Sequence, residues 1–157
     1  LDPSAVDLPG GWILVDTCEK PNFGYEYEND PLGRALEELR KEELVEDFVV
    51  KESRFNLSPE ELKNPKVLET FAKALNPYTI PGFTITIPRA IEFNILGNIY
   101  YPQWGDTDTS EWFSDTYRNG ERLFGGNSEG NGISLVSWFF STTRLGGIGF
   151  RVIGRFS

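Results

Sequence analysis

Three acidic side chains fall close together in Gly105-Asp106-Thr107-Asp108-Thr109-Ser110-Glu111. Carboxylates at i, i+2 and i+5 of a loop suit a hard cation such as Ca²⁺, which prefers oxygen ligands. Asp106, Asp108 and Glu111 are therefore the candidate ligands of a structural Ca²⁺. The competing reading is a polar loop held by Asx-turns and a cap. Other chemistries lack their parts. The chain has no His and one Cys, Cys18. It can build no Ser-His-Asp triad, no Cys-His pair, no His-ligated zinc or iron, no CxxC zinc site and no internal disulfide. No Gly-Lys-Ser/Thr follows Gly125-Gly126, so that pair reads as a tight turn rather than a phosphate loop. Cys18 reads as a small buried residue or as a reactive loop thiol.

A second group lies between Gly125-Gly126 and the end of the chain. Asn127, Asn131, Ser134, Ser137, Phe139 and Thr142 mix small polar residues with an aromatic. Antibody loops use such mixtures, because small amides and hydroxyls adapt their hydrogen bonds while aromatics give rigid contact area. These six are the candidate ligand-binding residues, and an ordinary surface loop is the alternative. Trp104, Trp112, Trp138, Tyr100, Tyr101, Phe139 and Phe140 make this half aromatic. They suit a sugar- or peptide-binding surface or a core, and Trp112, Trp138 and Phe150 are expected in the core. Arg144 and Arg151 are expected either to bind an anion or to pair with Glu111 or Asp115.

These residues need a scaffold. A length of 157 residues suits a single domain spanning 1–157. The formal charge of −9 is uneven. Residues 1–75 hold 17 acids against 9 bases, and residues 76–157 hold 7 against 6, all Arg. An acidic chain lacks the basic patch that phosphate contact needs, so nucleic acid is not an expected partner. The acidic half reads as a solvated helical surface. No run of about 18 apolar residues exists, so no membrane span is expected. The stretch from Leu1 shows no signal-peptide pattern, and the sequence fixes no compartment.

Gly11 to Asp16 reads as a first strand. Asp30-Pro31 has the form of a helix start, and Leu32, Ala35, Leu36 and Leu39 recur at helical spacing, which predicts a helix over 31–44. Residues 45–56 mix β-branched and charged residues and suit a short strand. Ser58 and Glu61 form a capping box, and Asn64-Pro65 starts a second helix running to Leu75. Beyond residue 76, Pro, Gly, Asn and aromatics dominate. A short helix is expected over 88–96, ended by Gly97. Loop with short strands is expected to residue 131, then strands at 136–140 and 149–155. Helices followed by an irregular β region give an α+β fold.

Five fragments then stand in a recognisable order. They are Ile87-Pro88-Arg89-Ala90-Ile91-Glu92-Phe93, Asp108-Thr109-Ser110-Glu111-Trp112-Phe113-Ser114-Asp115-Thr116-Tyr117, Arg122-Leu123-Phe124-Gly125-Gly126-Asn127-Ser128, Arg144, and Ile148-Gly149-Phe150-Arg151-Val152-Ile153. Together they resemble the formylglycine-generating-enzyme (sulfatase-modifying factor) family over 87–155. The resemblance implies a C-type-lectin-like fold. Two helices would pack on small, twisted, irregular antiparallel sheets with long loops, and the two chain ends would meet in one sheet. It also implies that Asp108 and Glu111 occupy calcium-binding positions of the family. Diversity-generating-retroelement variable proteins share this fold and end near a similar IGFR strand, with the diversified segment just before it. Residues 127–143 have a matching composition.

The departures bear on activity. The family's oxidase uses two cysteines downstream of the third fragment, and this chain has none after Cys18. The related iron-dependent enzymes need histidines. The sequence therefore points to a non-catalytic module that binds a protein or a small polar ligand. The alternatives are a family enzyme with altered chemistry and a structural or assembly protein.

Overall fold

The computed structural model describes residues 10–76, 78, 80–127 and 136–156. The fold is α+β, with three α-helices and two small sheets among the described residues. None of these helices is long and apolar enough to cross a membrane.

Helix α1 spans Gly33–Lys41 and buries Ala35, Leu36 and Leu39, the stripe its spacing dictates. It is shorter than the expected 31–44. At its front, the Asp30 carboxylate accepts from Leu32 N at 2.8 Å before the first helical residue. At its back, Glu43 takes a left-handed backbone with φ 57°, a common way to stop a helix. Helix α2, Pro65–Leu75, has the expected bounds. The Asn64 side chain accepts from Lys66 N at 3.0 Å, and Pro65 takes the first helical position, where no N–H is needed. The Ser58–Glu61 capping box is formed in both directions, but it caps only a 3₁₀ turn at Glu61–Lys63.

No strand forms over 45–56. The backbone carbonyls there are taken by a side chain instead. Arg40 is buried and donates to the carbonyls of Glu46, Lys51, Ser53 and Phe55. One guanidinium thus holds a loop that would otherwise need a partner strand.

The first sheet runs β1-β7-β2. It comprises Ile13–Val15, Ile153–Phe156 and Phe83–Thr86, all antiparallel. Ile13 lies opposite Arg155, so the two ends of the chain do meet in one sheet. The second sheet runs β5-β4-β3-β6. Strands β3 (Ser110–Thr116), β4 (Glu121–Gly125) and β5 (Val136–Phe140) are antiparallel neighbours, and β6 (Ile148–Phe150) lies parallel to β3. The expected strand over 149–155 is thus two strands. It breaks at Arg151-Val152, where the chain passes from one sheet to the other.

Helix α3 spans Ala90–Ile99 rather than 88–96, with Gly97 buried inside it. Its start is fixed by carboxylates. Glu92 accepts from Arg89 N at 2.8 Å and Asp115 from Ala90 N at 2.6 Å. Its end comes where Tyr100 N and Tyr101 N both bond to Leu96 O.

Neighbours on β3 face opposite ways, as strand geometry requires. Trp112 belongs to the larger core, with α1, α2 and Phe150. Phe113 belongs to a smaller one, with Phe93, Trp104 and Leu123. The second sheet therefore has an apolar layer on each side. Trp138, expected in the core, is instead 42% exposed. It sits on β5, which among the described residues is an edge strand with β4 as its one neighbour in the sheet.

Phe71 of α2 is fully buried and stacks on Phe150 at 5.2 Å. Phe71→Ala should cost about 3–5 kcal/mol in urea unfolding. Lys66→Ala, on the exposed face of the same helix, should stay within about 0.5 kcal/mol. Equal losses in the two variants would mean that α2 is not held by this face.

Candidate functional site

Asp16 follows β1, Asp30 precedes α1, and Arg54 lies in the loop pinned by Arg40. The Arg54 side chain is fully buried and bridges Asp16 and Asp30, the latter through bonds of 2.7 and 2.6 Å. Arg151, at the break between β6 and β7, donates to both oxygens of Glu111 at 3.2 and 3.0 Å and to Asp16 O at 2.5 Å. Tyr27 Oη donates to Glu111 Oε1 at 2.8 Å. The Arg54 guanidinium lies 4.6 Å from the Tyr27 ring centre, and that of Arg151 lies 3.9 Å from that of Trp104.

These side chains share one electrostatic environment. Burial alone would raise the Asp16 carboxyl, but the charges of Arg54 and Arg151 outweigh it and hold it below the ordinary carboxylate range. Burial opposes the Arg54 charge, and Asp30 and Asp16 more than restore it. Burial, reinforced by the Glu111 charge, pushes the Tyr27 phenol well above its ordinary value. Burial, with Asp16 adding to it, pushes the Cys18 thiol up to about 11. That thiol is protonated at neutral pH, which disfavours the reactive reading of Cys18.

The acidic loop is arranged differently from its expectation. Asp106 and Asp108 are exposed, while Glu111 is fully buried and engaged by Arg151 and Tyr27. The three do not form one ligand set, and no group of three such side chains that could hold a metal ion is found among the described residues. The spacing misled because Ser110 already begins β3, so Glu111 turns inward rather than lining the loop. A positive charge does sit at this loop: the ammonium of Lys20. It donates to the carbonyls of Thr109 and Gly126, the latter at 2.8 Å. Burial lowers its pKa to about 8, with Glu111 acting in the opposite direction.

Of the six candidate binding residues, Asn131 and Ser134 lie outside the described residues. Asn127 is half-buried and spends its amide on Asp108 O at 3.2 Å. Ser137 is half-buried on β5, and Thr142 is exposed in the following turn. Phe139 is 41% exposed and stacks on Phe124 at 5.6 Å. Sequence reasoning named Trp138 and Phe140 only among the aromatics of this half and missed Val136 and Tyr117. Val136, Trp138 and Phe140 on β5 and Tyr117 at the end of β3 are all exposed, and Trp138 stacks on Tyr117 at 5.7 Å. The available signal was the run of three aromatics at 138–140. A strand with one buried face would alternate instead. Of the late arginines, Arg151 does pair with Glu111, whereas Arg144 pairs at the surface with Glu61 at 3.2 Å.

Compared with known proteins, the chain matches no family model, no curated protein and no solved structure.

Asp16 makes the buried cluster testable by pH. Because its folded pKa is depressed, its contribution is present above the unfolded value of about 3.9 and is lost as pH falls below it. Asp16→Asn should be destabilised at pH 7 by about 3–5 kcal/mol, since it leaves buried arginine charge uncompensated. It should also lose less further stability than the parent between pH 5 and pH 3, a span of about two units around that value. Urea titrations at the two pH values measure this, and parallel acid losses would remove Asp16 from the account.

Proposed function

We propose that this chain is a non-catalytic binding module on a C-type-lectin-like scaffold of the formylglycine-generating-enzyme type, with β5 and the turn after it as its contact surface. The observation that carries the reading is the edge position of β5 together with its exposed side chains. Trp138, Phe139 and Phe140 are 42%, 41% and 60% exposed. An edge strand offers unpaired N–H and C=O groups to an incoming chain. Aromatics beside it supply the rigid anchors that dominate interface energetics. Strand addition with side-chain pockets is an established mode of peptide recognition.

The scaffold assignment is supported by where the recognisable fragments go. Glu111 of the second fragment pairs with Arg151 of the last. Gly126 of the third receives Lys20 on its carbonyl. Glu92 of the first accepts from Arg155 beside the last. One ion pair thus joins the second fragment to the last, and the first and third are tied by a salt bridge and a hydrogen bond to residues outside the fragments. Two of their glycines are required by close approach. A Cβ on Gly126 would lie 2.7 Å from the Phe93 ring, and one on Gly149 would lie 2.7 Å from Tyr27 Oη. On this reading the chain keeps the framework of the fold, while the oxidase's downstream cysteine pair is missing from its sequence. A diversity-generating-retroelement variable protein is the special case in which the diversified segment lies at 127–143, and the search spans the codons for 127–151. A near-copy of those codons beside a reverse-transcriptase gene would mark it.

The double variant Trp138→Ser, Phe140→Ser tests the surface. Exposed substitutions usually change stability by no more than about 0.5 kcal/mol each, so the melting temperature should be nearly unchanged. Affinity for a protein partner selected on the parent chain should fall at least about tenfold. Unchanged affinity, or cooperative unfolding of the variant, would return β5 to the framework.

A further inference from the structure

On the α2 side of the second sheet, Leu62, Leu68, Ile87 and Trp112 line a hollow of about 160 Å³, with Lys63 and Arg122 at its polar side. That volume is close to the roughly 150 Å³ of an engineered cavity that accepts benzene. Arg122 of β4 is only 7% exposed, and its Nε has no hydrogen-bond partner. No carboxylate lies within ion-pair distance of it among the described residues. This sets it apart from Arg54 and Arg151, which are fully buried and each held by two acids. A guanidinium that is largely buried and holds no ion pair is costly. An anion entering the hollow would compensate it.

We propose that this hollow binds a monocarboxylate bearing one apolar group of phenyl or isobutyl size, its carboxylate on Arg122 and its apolar group against Leu62, Leu68, Ile87 and Trp112. This goes beyond the reading of β5 and does not depend on it. A guanidinium presents its N–H groups as a fork that matches a carboxylate. Only one charge is left to neutralise, because Lys63 already faces Glu60 at 3.6 Å. Arg122 and Lys63 also line a second hollow, which contains Glu60 and Glu121. Those two acids disfavour a dianion such as phosphate. Burial lowers the Arg122 pKa while Glu60 acts in the opposite direction, and the group stays cationic at neutral pH.

Phenylacetate and phenylacetamide, titrated by calorimetry and ligand-observed NMR, test the site. Phenylacetate should bind saturably and at least about tenfold more tightly than the neutral amide, since hydrogen bonds to a charged group are the stronger kind. Arg122→Gln should lose that preference, Arg122→Lys should retain part of it, and Leu68→Phe should weaken both ligands by filling the apolar end. Arg122→Gln should melt at or above the parent temperature, because it removes an uncompensated charge. An arginine with only a structural role would melt lower when replaced. Trp138→Ala should leave phenylacetate binding unchanged, which separates this site from β5. A short peptide ending in a free carboxyl-terminal Phe distinguishes the source. Tighter binding than phenylacetate assigns a peptide terminus, and weaker binding assigns a small free acid. No saturable phenylacetate binding, equal affinity for acid and amide, or full binding by Arg122→Gln would overturn the proposal. If Arg122→Gln does not fold, the acid–amide comparison on the parent chain and on Leu68→Phe still decides.

Discussion

Three acids and two arginines meet in ion pairs in the middle of this protein, Asp16, Asp30 and Glu111 with Arg54 and Arg151, and the Lys20 ammonium lies close enough for Glu111 to act on it. The chain carries −9 overall, yet this centre is neutral. That balance makes its burial tolerable, because a buried charge lacking a partner costs far more than a paired one returns. The same six residues draw together the end of β1, the segment before α1, the loop at 42–56, the start of β3 and the break between β6 and β7. Apolar packing supplies the driving force on both sides of the second sheet. The ion cluster determines which loops are brought together there, since each carboxylate has a specific partner and a misplaced loop would strand one of them.

Arg40 works in the same manner at shorter range. Its guanidinium replaces the strand that the loop at 42–56 does not have. A fold with small sheets and long connections leaves many backbone carbonyls without ladder partners. Here buried Arg and Lys side chains take that role, as with Lys20 on the carbonyls of Thr109 and Gly126. This use of charge inside the protein accounts for basic residues that looked like ordinary surface in the acidic half of the chain.

Helices were legible in the sequence because their signals are local. Asn64-Pro65 and the 3.6-residue stripe determined α2 to the residue, and the Glu111–Arg151 pair was among the partners weighed for the late arginines. What was not legible depends on distant residues. Asp30 reads as a helix cap and does accept from Leu32 N, but nothing local records that Arg54, 24 residues on, binds both its oxygens. Glu111 reads as a loop ligand until β3 is known to begin at Ser110. Trp138 reads as core because its type favours burial. Its exposure follows from the place of β5 at the sheet edge, which no local pattern records. Arg122 heads the third fragment, but no pattern there records its distinguishing property, a missing partner.

The order of strands in the first sheet has a bearing on how the chain is made. Its middle strand, β7, is the last element described, and the two strands it joins come from near the front and from the centre of the chain. Neither outer strand pairs with the other, so this sheet does not exist until residues 153–156 arrive. Contacts this distant in sequence form late and slowly. Until those residues are made, a nascent chain on the ribosome presents β1 and β2 as unpaired strands, open to other chains. A chain cut short before Ile153 would keep both open, which makes such truncated products candidates for chaperone retention and degradation.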